Sequence, residues 1–440
     1  MTKEEILLAQ QEFLFPAVFH YYPKPLIVSH AKDQYVWDAD GRQYLDFFAG
    51  ILTISVGHSN PQVTARVEAQ VNRLVHVSTL YATEPQVALA RQLASLTPNR
   101  ALSKSFFTNS GTEANEMAFL AARCYTGSSE IVALRYSYHG RSAQTMAATG
   151  QWSWRLPGAA QAGFVHAHNA YCYRCPFGLT YPSCELKCAT NLEETIQTAT
   201  SGRVAALIAE PIQGAGGFIT PPKEFLSIVS GIVRQYGGLV ISDEVQTAWG
   251  RTGQHWFGCE HSDVVPDIIT SAKGLGNGFP IGVTIAKPEI ANAVRGITLS
   301  TFGGNPVSTA AAGAVLDFIE ENDLRTNAAT AGAYLRDKLD ELAARYPLIG
   351  DVRGMGLMQG IELVKDRRSK EPAPAETAAV LEAARQRGLL VGKGGLWGNL
   401  IRVAPPLNIS RTDIDEFARM LGEAFESITT AREVAVVAGI

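Results

Sequence analysis

From about residue 60 to 300, short apolar runs alternate with amphipathic helical stretches, and this alternation constrains the fold most. The runs include "KSFFTNS", "EIVALRY", "VAALIAE", "GLVISDE" and "DIITSAK"; "PQVALARQLASL" is typical of the helical stretches. Strands that alternate with helices build an α/β domain around a mostly parallel sheet. Ligands of such sheets sit at the carboxyl ends of the strands. Two of the runs end in charge: Asp243 and Glu244 close the first, and Lys273 closes the second.

The flanks differ. Residues 33–48, "DQYVWDADGRQYLDFF", alternate apolar and polar around an Asp-Gly turn and predict a hairpin or meander. Beyond about residue 305 helical patterns dominate, with strand-like pieces at "LMQGIELV" and "LIRVAPPL". The expected organisation is an N-terminal segment 1–58, a large domain 59–304 and a smaller α+β domain 305–440. The N-terminal segment is expected to pack with the smaller domain.

A length of 440 residues, with 46% hydrophobic and 18% charged, fits a globular chain with a large core. The net charge of −4 gives no pull toward nucleic acid or anionic membranes. No run reaches the roughly 18 apolar residues of a membrane span. The acidic, amphipathic start "MTKEEILLAQQEFLF" lacks the features of a signal or transit peptide, so the expected location is cytoplasmic.

Four of the six cysteines, Cys172, Cys175, Cys184 and Cys188, crowd into "CYRCPFGLTYPSCELKC". That spacing is open to a structural zinc, a disulfide or reduced thiols. No catalytic metal is expected.

In "FFTNSGTEANEMAF" a strand ends at Asn109, and Ser110, Gly111 and Thr112 open a helix. Free backbone N–H groups there suit a phosphate, although Ser and Thr also serve as ordinary caps. Lys273, before "GLGNG", is either a pocket lysine able to form a Schiff base or a surface lysine. Asp243 can hold a ring-nitrogen proton, cap a helix or pair with arginine. A lysine, a phosphate cradle and an acid together point to one ligand, pyridoxal phosphate.

The motifs that carry this reading are "NSGTEANEMA", "YHGR", "EPIQGAGG", "SDEVQTAWGRTG", "SAKGLGNGFPIG", "STFGGNP" and "VRGMGLMQGIEL". In that order, over nearly the whole chain, they resemble the class III, or ω-amino-acid, pyridoxal-phosphate aminotransferases. The cysteine insert and "AGILTISVGHSNPQV" look most like the type that uses alanine and glyoxylate and also handles β-alanine. The resemblance implies a fold type I pyridoxal-phosphate enzyme, its sheet sandwiched by helices, working as a homodimer, with dimer or tetramer left open.

It also implies roles. Lys273 would form the Schiff base and shuttle the proton, and Asp243 would face the ring nitrogen. Val245 and Tyr138 would flank the ring, and Gln246 would bond its hydroxyl. Ser110, Gly111 and Thr112 would bind the phosphate, joined by Thr301 from the second subunit. Arg402 would bind the α-carboxylate of the substrate. Glu210 would pair with Arg402 when the substrate lacks that carboxylate; otherwise it is an unrelated strand-end acid. Arg141 is a candidate for a distal carboxylate or a structural ion pair. His139 lies within "YHGR" without an assigned role; Tyr21 and Tyr22, near the N-terminus, either line the substrate entrance or pack under the meander.

The expected reaction is ping-pong transfer of an amino group from an ω- or β-amino acid, alanine or a related amine to pyruvate or glyoxylate. The same fold resembles phospho- and ammonia-lyases of phosphorylated amino-alcohols, decarboxylases and racemases, which remain the alternative. The G-x-G fragments in "RGMGLMQG" and "GKGGLWG" open no βαβ unit, so a dinucleotide enzyme is poorly supported.

Overall fold

The computed structural model describes residues 1–18, 20–157 and 161–438, with side chains through residue 430. Near the N-terminus, β1 (Val28–Lys32), β2 (Tyr35–Asp38) and β3 (Gln43–Asp46) form the antiparallel meander that the Asp-Gly turn predicts.

A seven-stranded sheet follows. Its strands are β4 (Lys104–Thr108), β5 (Ile131–Leu134), β6 (Phe164–Ala167), β7 (Ala206–Ala209), β8 (Leu239–Asp243), β9 (Ile268–Ser271) and β10 (Gly282–Ala286). They run in the order β4-β10-β9-β8-β7-β5-β6. All pairings are parallel except those of β10, which runs antiparallel to both β9 and β4. β5, β7, β8, β9 and β10 are buried along their whole length. That explains their continuous apolar sequences, because helices cover both faces of such a sheet.

The C-terminal part supplies β11 (Ile349–Met355), β12 (Met358–Leu363), β13 (Leu389–Leu390), β14 (Gly392–Gly394) and β15 (Leu400–Val403). β13 pairs parallel to β3, so the two ends of the chain share one sheet. The other four strands form an antiparallel sheet in the order β11-β12-β15-β14.

The helix Gly111–Thr126 matters most for the site. Ser110 caps its start, its Oγ accepting from the Glu113 N–H at 3.2 Å. Gly127, at φ 68°, ends it by donating to the Arg123 carbonyl at 2.9 Å. Ala114, Ala118, Phe119, Ala121 and Ala122 are buried beneath it. The helix is thereby fixed with its N-terminus at the edge of a cavity. No helix among the described residues is long and apolar enough to cross a membrane.

Candidate active site

The carboxyl ends of β4, β7, β8 and β9 converge on a cavity of about 370 Å³. It is lined by Ser110, Gly111, Thr112, Tyr138, Glu210, Asp243, Val245, Gln246 and Lys273, among others. Nine of the twelve residues singled out in the sequence therefore meet in one place. They come from separate strand ends, as an α/β sheet requires.

Asp243 is 3% exposed at the end of β8. Its Oδ2 accepts from His139 Nδ1 at 2.7 Å and from Asn115 Nδ2 at 2.8 Å. Its Oδ1 accepts from the Val245 N–H at 3.2 Å. Asn115 also donates to the His139 carbonyl at 2.8 Å and accepts from Thr270 Oγ1 at 2.7 Å. The acid is thus held by two side chains, one on a helix and one on a loop. Glu244 turns the other way, as alternate residues of a strand do. It accepts from the Gly258 and Cys259 N–H groups, both at 2.8 Å, from Ser242 Oγ at 3.0 Å and from Thr247 Oγ1. It fastens a turn and lies outside the cavity.

Lys273 follows β9 with φ at 43°, the left-handed region that a non-glycine residue rarely adopts. Observed backbone strain of this kind concentrates at functional sites. Burial, and then the positive charge of Arg402, push the Lys273 amine down to about 8, against Asp243 and Glu210. A lysine so shifted is substantially neutral at mildly alkaline pH, the form that acts as a nucleophile or base.

Glu210 lies just past β7, 5% exposed. Its two oxygens accept from the Tyr138 N–H at 2.9 Å and the Gly214 N–H at 2.8 Å. Burial raises its carboxyl to about 7, with Asp243 adding to the rise.

A second cavity, of about 500 Å³, adjoins the first, and Tyr138 and Gly140 line both. Arg402 on β15 opens into it, 5% exposed. Its Nε donates to the Lys393 carbonyl at 3.1 Å, and its Nη2 to Tyr21 Oη at 3.3 Å. Its guanidinium lies 4.7 Å from the Phe48 ring centroid. No carboxylate among the described residues is in ion-pair contact with it, and Arg402 and Glu210 are not paired in this structure. A substrate carboxylate would match a buried cation left in that condition. Arg141 lies exposed at the same cavity, its N–H donating to Thr112 Oγ1 at 3.3 Å. It makes no ion pair among the described residues.

Thr301 is exposed and lines neither cavity of its own chain. The four insert cysteines form no disulfide. No group of three or more His, Cys, Asp or Glu among the described residues is placed to hold a metal.

The cavity suits an aromatic phosphate ligand on its own evidence. Gln246 Oε1 is buried without a partner, an acceptor awaiting a donor. A side chain at Gly111 would come within 2.9 Å of Val245, so glycine keeps the helix start close to that residue. Asn115 was not anticipated from the sequence. Its spacing of four from Gly111 was the available signal, since that spacing keeps both on one helix face.

Comparison with known proteins agrees. The model of the family Aminotransferase class-III matches residues 19–425. The chain is 46% identical over 415 residues to "Alanine--glyoxylate aminotransferase 2 homolog 2, mitochondrial" of Arabidopsis thaliana, covering 94% of this chain and 86% of that one. That name is mitochondrial, so the comparison lends no support to a cytoplasmic location. An amine transaminase from an uncultivated Pseudomonas species, solved with pyridoxal phosphate bound, superposes with a TM-score of 0.89 at 32% identity, covering 95% of this chain and 99% of that one. A phospholyase from Arthrobacter, solved in complex with phosphoethanolamine, superposes at 0.88 with 31% identity, covering 96% and 99%. On the family match and the identity over nearly its whole length, the chain belongs to the class-III aminotransferases.

Proposed function

We propose that this chain moves an amino group from an ω- or β-amino acid, alanine or a related amine to pyruvate or glyoxylate, with pyridoxal phosphate as cofactor. The observation that carries this reading is the convergence of Lys273, Asp243 and the helix start at 110–112 on one cavity, with Arg402, which makes no ion pair among the described residues, beside it. When bound, pyridoxal phosphate supplies an electrophilic carbon for the amine and a ring that takes up the electron pair left at the substrate Cα.

The residues divide the remaining work. Lys273 Nζ would take the proton from the substrate Cα and deliver it across the nitrogen to the carbon that was the cofactor's aldehyde carbon, two atoms away. Asp243 would keep a proton on the ring nitrogen, its own position held by His139 and Asn115. Val245 and Tyr138 would flank the ring, and Gln246 Oε1 would accept from its hydroxyl. Ser110, Gly111 and Thr112 would bind the phosphate through the helix start. Thr301 of the partner subunit would complete that phosphate site in a two-fold homodimer.

Arg402 would grip the keto-acid carboxylate as a two-pronged donor. Glu210 would pair with it when the donor amine has no α-carboxylate. Its carboxyl near 7 can then take up charge or give it up around neutral pH. Arg141 would meet a distal carboxylate.

β-Alanine and pyruvate should yield alanine in equal measure to pyruvate consumed, followed by chromatography. Phosphate released from phosphoethanolamine with no acceptor present would replace this reading with a lyase. Arg402→Ala should raise KM for pyruvate by about 10- to 100-fold while leaving KM for an amine without a carboxylate nearly unchanged. Equal effects on both would reject the role.

A further inference from the structure

The cysteine-bearing insert is tied to the substrate side of the molecule through one buried carboxylate. Glu362, 1% exposed on β12, stands opposite Leu400 of β15, and Gly360 stands opposite Arg402. Strand alternation puts Glu362 and Arg402 on the same face of that sheet. Glu362 accepts from Arg174 Nε at 2.6 Å, from Arg353 Nη1 at 2.7 Å and from Tyr171 Oη. Arg174 belongs to the start of the insert, and Tyr171 immediately precedes it.

The same knot reaches the turn between β14 and β15. The Arg174 guanidinium lies 4.8 Å from the Trp397 ring centroid. Asn399 Nδ2 donates to the Leu363 carbonyl at 2.8 Å and to Glu362 at 3.4 Å. The turn needs such support. β14 is a three-residue edge strand, and glycines stand at 392, 394, 395 and 398. Glycine loses the most conformational freedom on ordering. Arg402 depends on this hairpin twice, because it sits on β15 and is held by the Lys393 carbonyl of β14.

We propose that Arg174 and Glu362 are positioning residues: through them the insert braces the β14–β15 hairpin and fixes where Arg402 presents its guanidinium to a substrate carboxylate. This rests on the reading of Arg402 as the carboxylate binder. Neither residue lines either cavity, so both stand behind the residues that would meet substrate or cofactor. The insert then has a function that needs no metal and no disulfide.

The test is steady-state kinetics of the holoenzyme with 2-aminobutane as donor and pyruvate as acceptor. Arg174→Gln should raise KM for pyruvate about tenfold, a shift that a displacement of order 1 Å can produce. The KM for 2-aminobutane and kcat at saturation should stay within about twofold. Arg174→Lys should recover part of the loss. An unchanged pyruvate KM, or an equal loss in both KM values and kcat, overturns the brace. If Arg174→Gln fails to fold, Tyr171→Phe, which removes one hydroxyl, should shift the pyruvate KM in the same direction, and no shift overturns the proposal. Wild-type enzyme with no pyruvate-dependent turnover on any amine fails the aminotransferase reading itself and the brace with it.

Discussion

Lys273 is held in a strained backbone conformation and in surroundings that disfavour its charge. The consequence can be read without substrate. In the cofactor-free protein the folded amine titrates near 8 and the unfolded one near the usual 10.5. Below pH 8 both states carry the proton, and the folded state bears the full penalty of the buried charge. Between 8 and 10.5 the folded amine loses its proton first, so stability rises with pH there. Lys273→Met removes the charge altogether. It should stabilise the apoprotein by about 2 kcal/mol at pH 7, a figure reduced for the amine's partial exposure. That gain should shrink toward pH 10.5. Urea midpoints at pH 7, 9 and 10 check it, and a gap independent of pH would contradict the shifted lysine. The same variant should lose nearly all turnover.

At the scale of elements, the helix Gly111–Thr126 joins the two halves of the first cavity. Its start would supply the phosphate side in the proposed reading, and Asn115, about one turn on, holds Asp243. Asn115→Ala would strand the buried Thr270 hydroxyl and remove a donor from Asp243. It should cost about 1–3 kcal/mol in thermal or urea unfolding. It should also weaken cofactor binding in an equilibrium titration, because Asn115 holds Asp243 in place. Unchanged cofactor affinity would reduce Asn115 to a packing residue.

Much of this level was legible in the sequence. The apolar runs in "KSFFTNS", "EIVALRY", "VAALIAE", "GLVISDE" and "DIITSAK" became β4, β5, β7, β8 and β9, which end at Thr108, Leu134, Ala209, Asp243 and Ser271. β6 and β10 were not anticipated. β10 lies within "GVTIA", which follows the glycines after Lys273 and offers too short a pattern to separate strand from loop. Periodicity also cannot show that Glu244 serves a turn while its neighbour Asp243 faces the cavity. Nor can it show that Arg402 donates to the Lys393 carbonyl across its own hairpin and to Tyr21, which comes from a distant segment.

At the scale of the whole molecule, Thr301 poses the remaining question. It is exposed, and its neighbours are exposed apolar residues: Phe302 is 61% exposed and Ile297 fully so. The Phe302 ring lies 5.0 Å from His76, close in sequence to the exposed Leu80 and Tyr81. Apolar surface of this kind fits a subunit contact. In the proposed homodimer each Thr301 would serve the other chain's phosphate. Thr301→Ala should then weaken cofactor binding about tenfold, the order expected for one lost hydrogen bond to a charged group. A heterodimer of one Lys273→Ala chain and one Thr301→Ala chain separates the alternatives. If Thr301 acts across the interface, both lesions fall on the cavity of the Lys273→Ala chain. The cavity of the other chain, with its own Lys273 and the partner's Thr301, is intact. Such heterodimers, isolated with two different affinity tags, should show about half the wild-type activity and one site of wild-type cofactor affinity. If Thr301 serves its own chain, each cavity carries one lesion, and neither wild-type affinity nor appreciable activity at limiting cofactor returns.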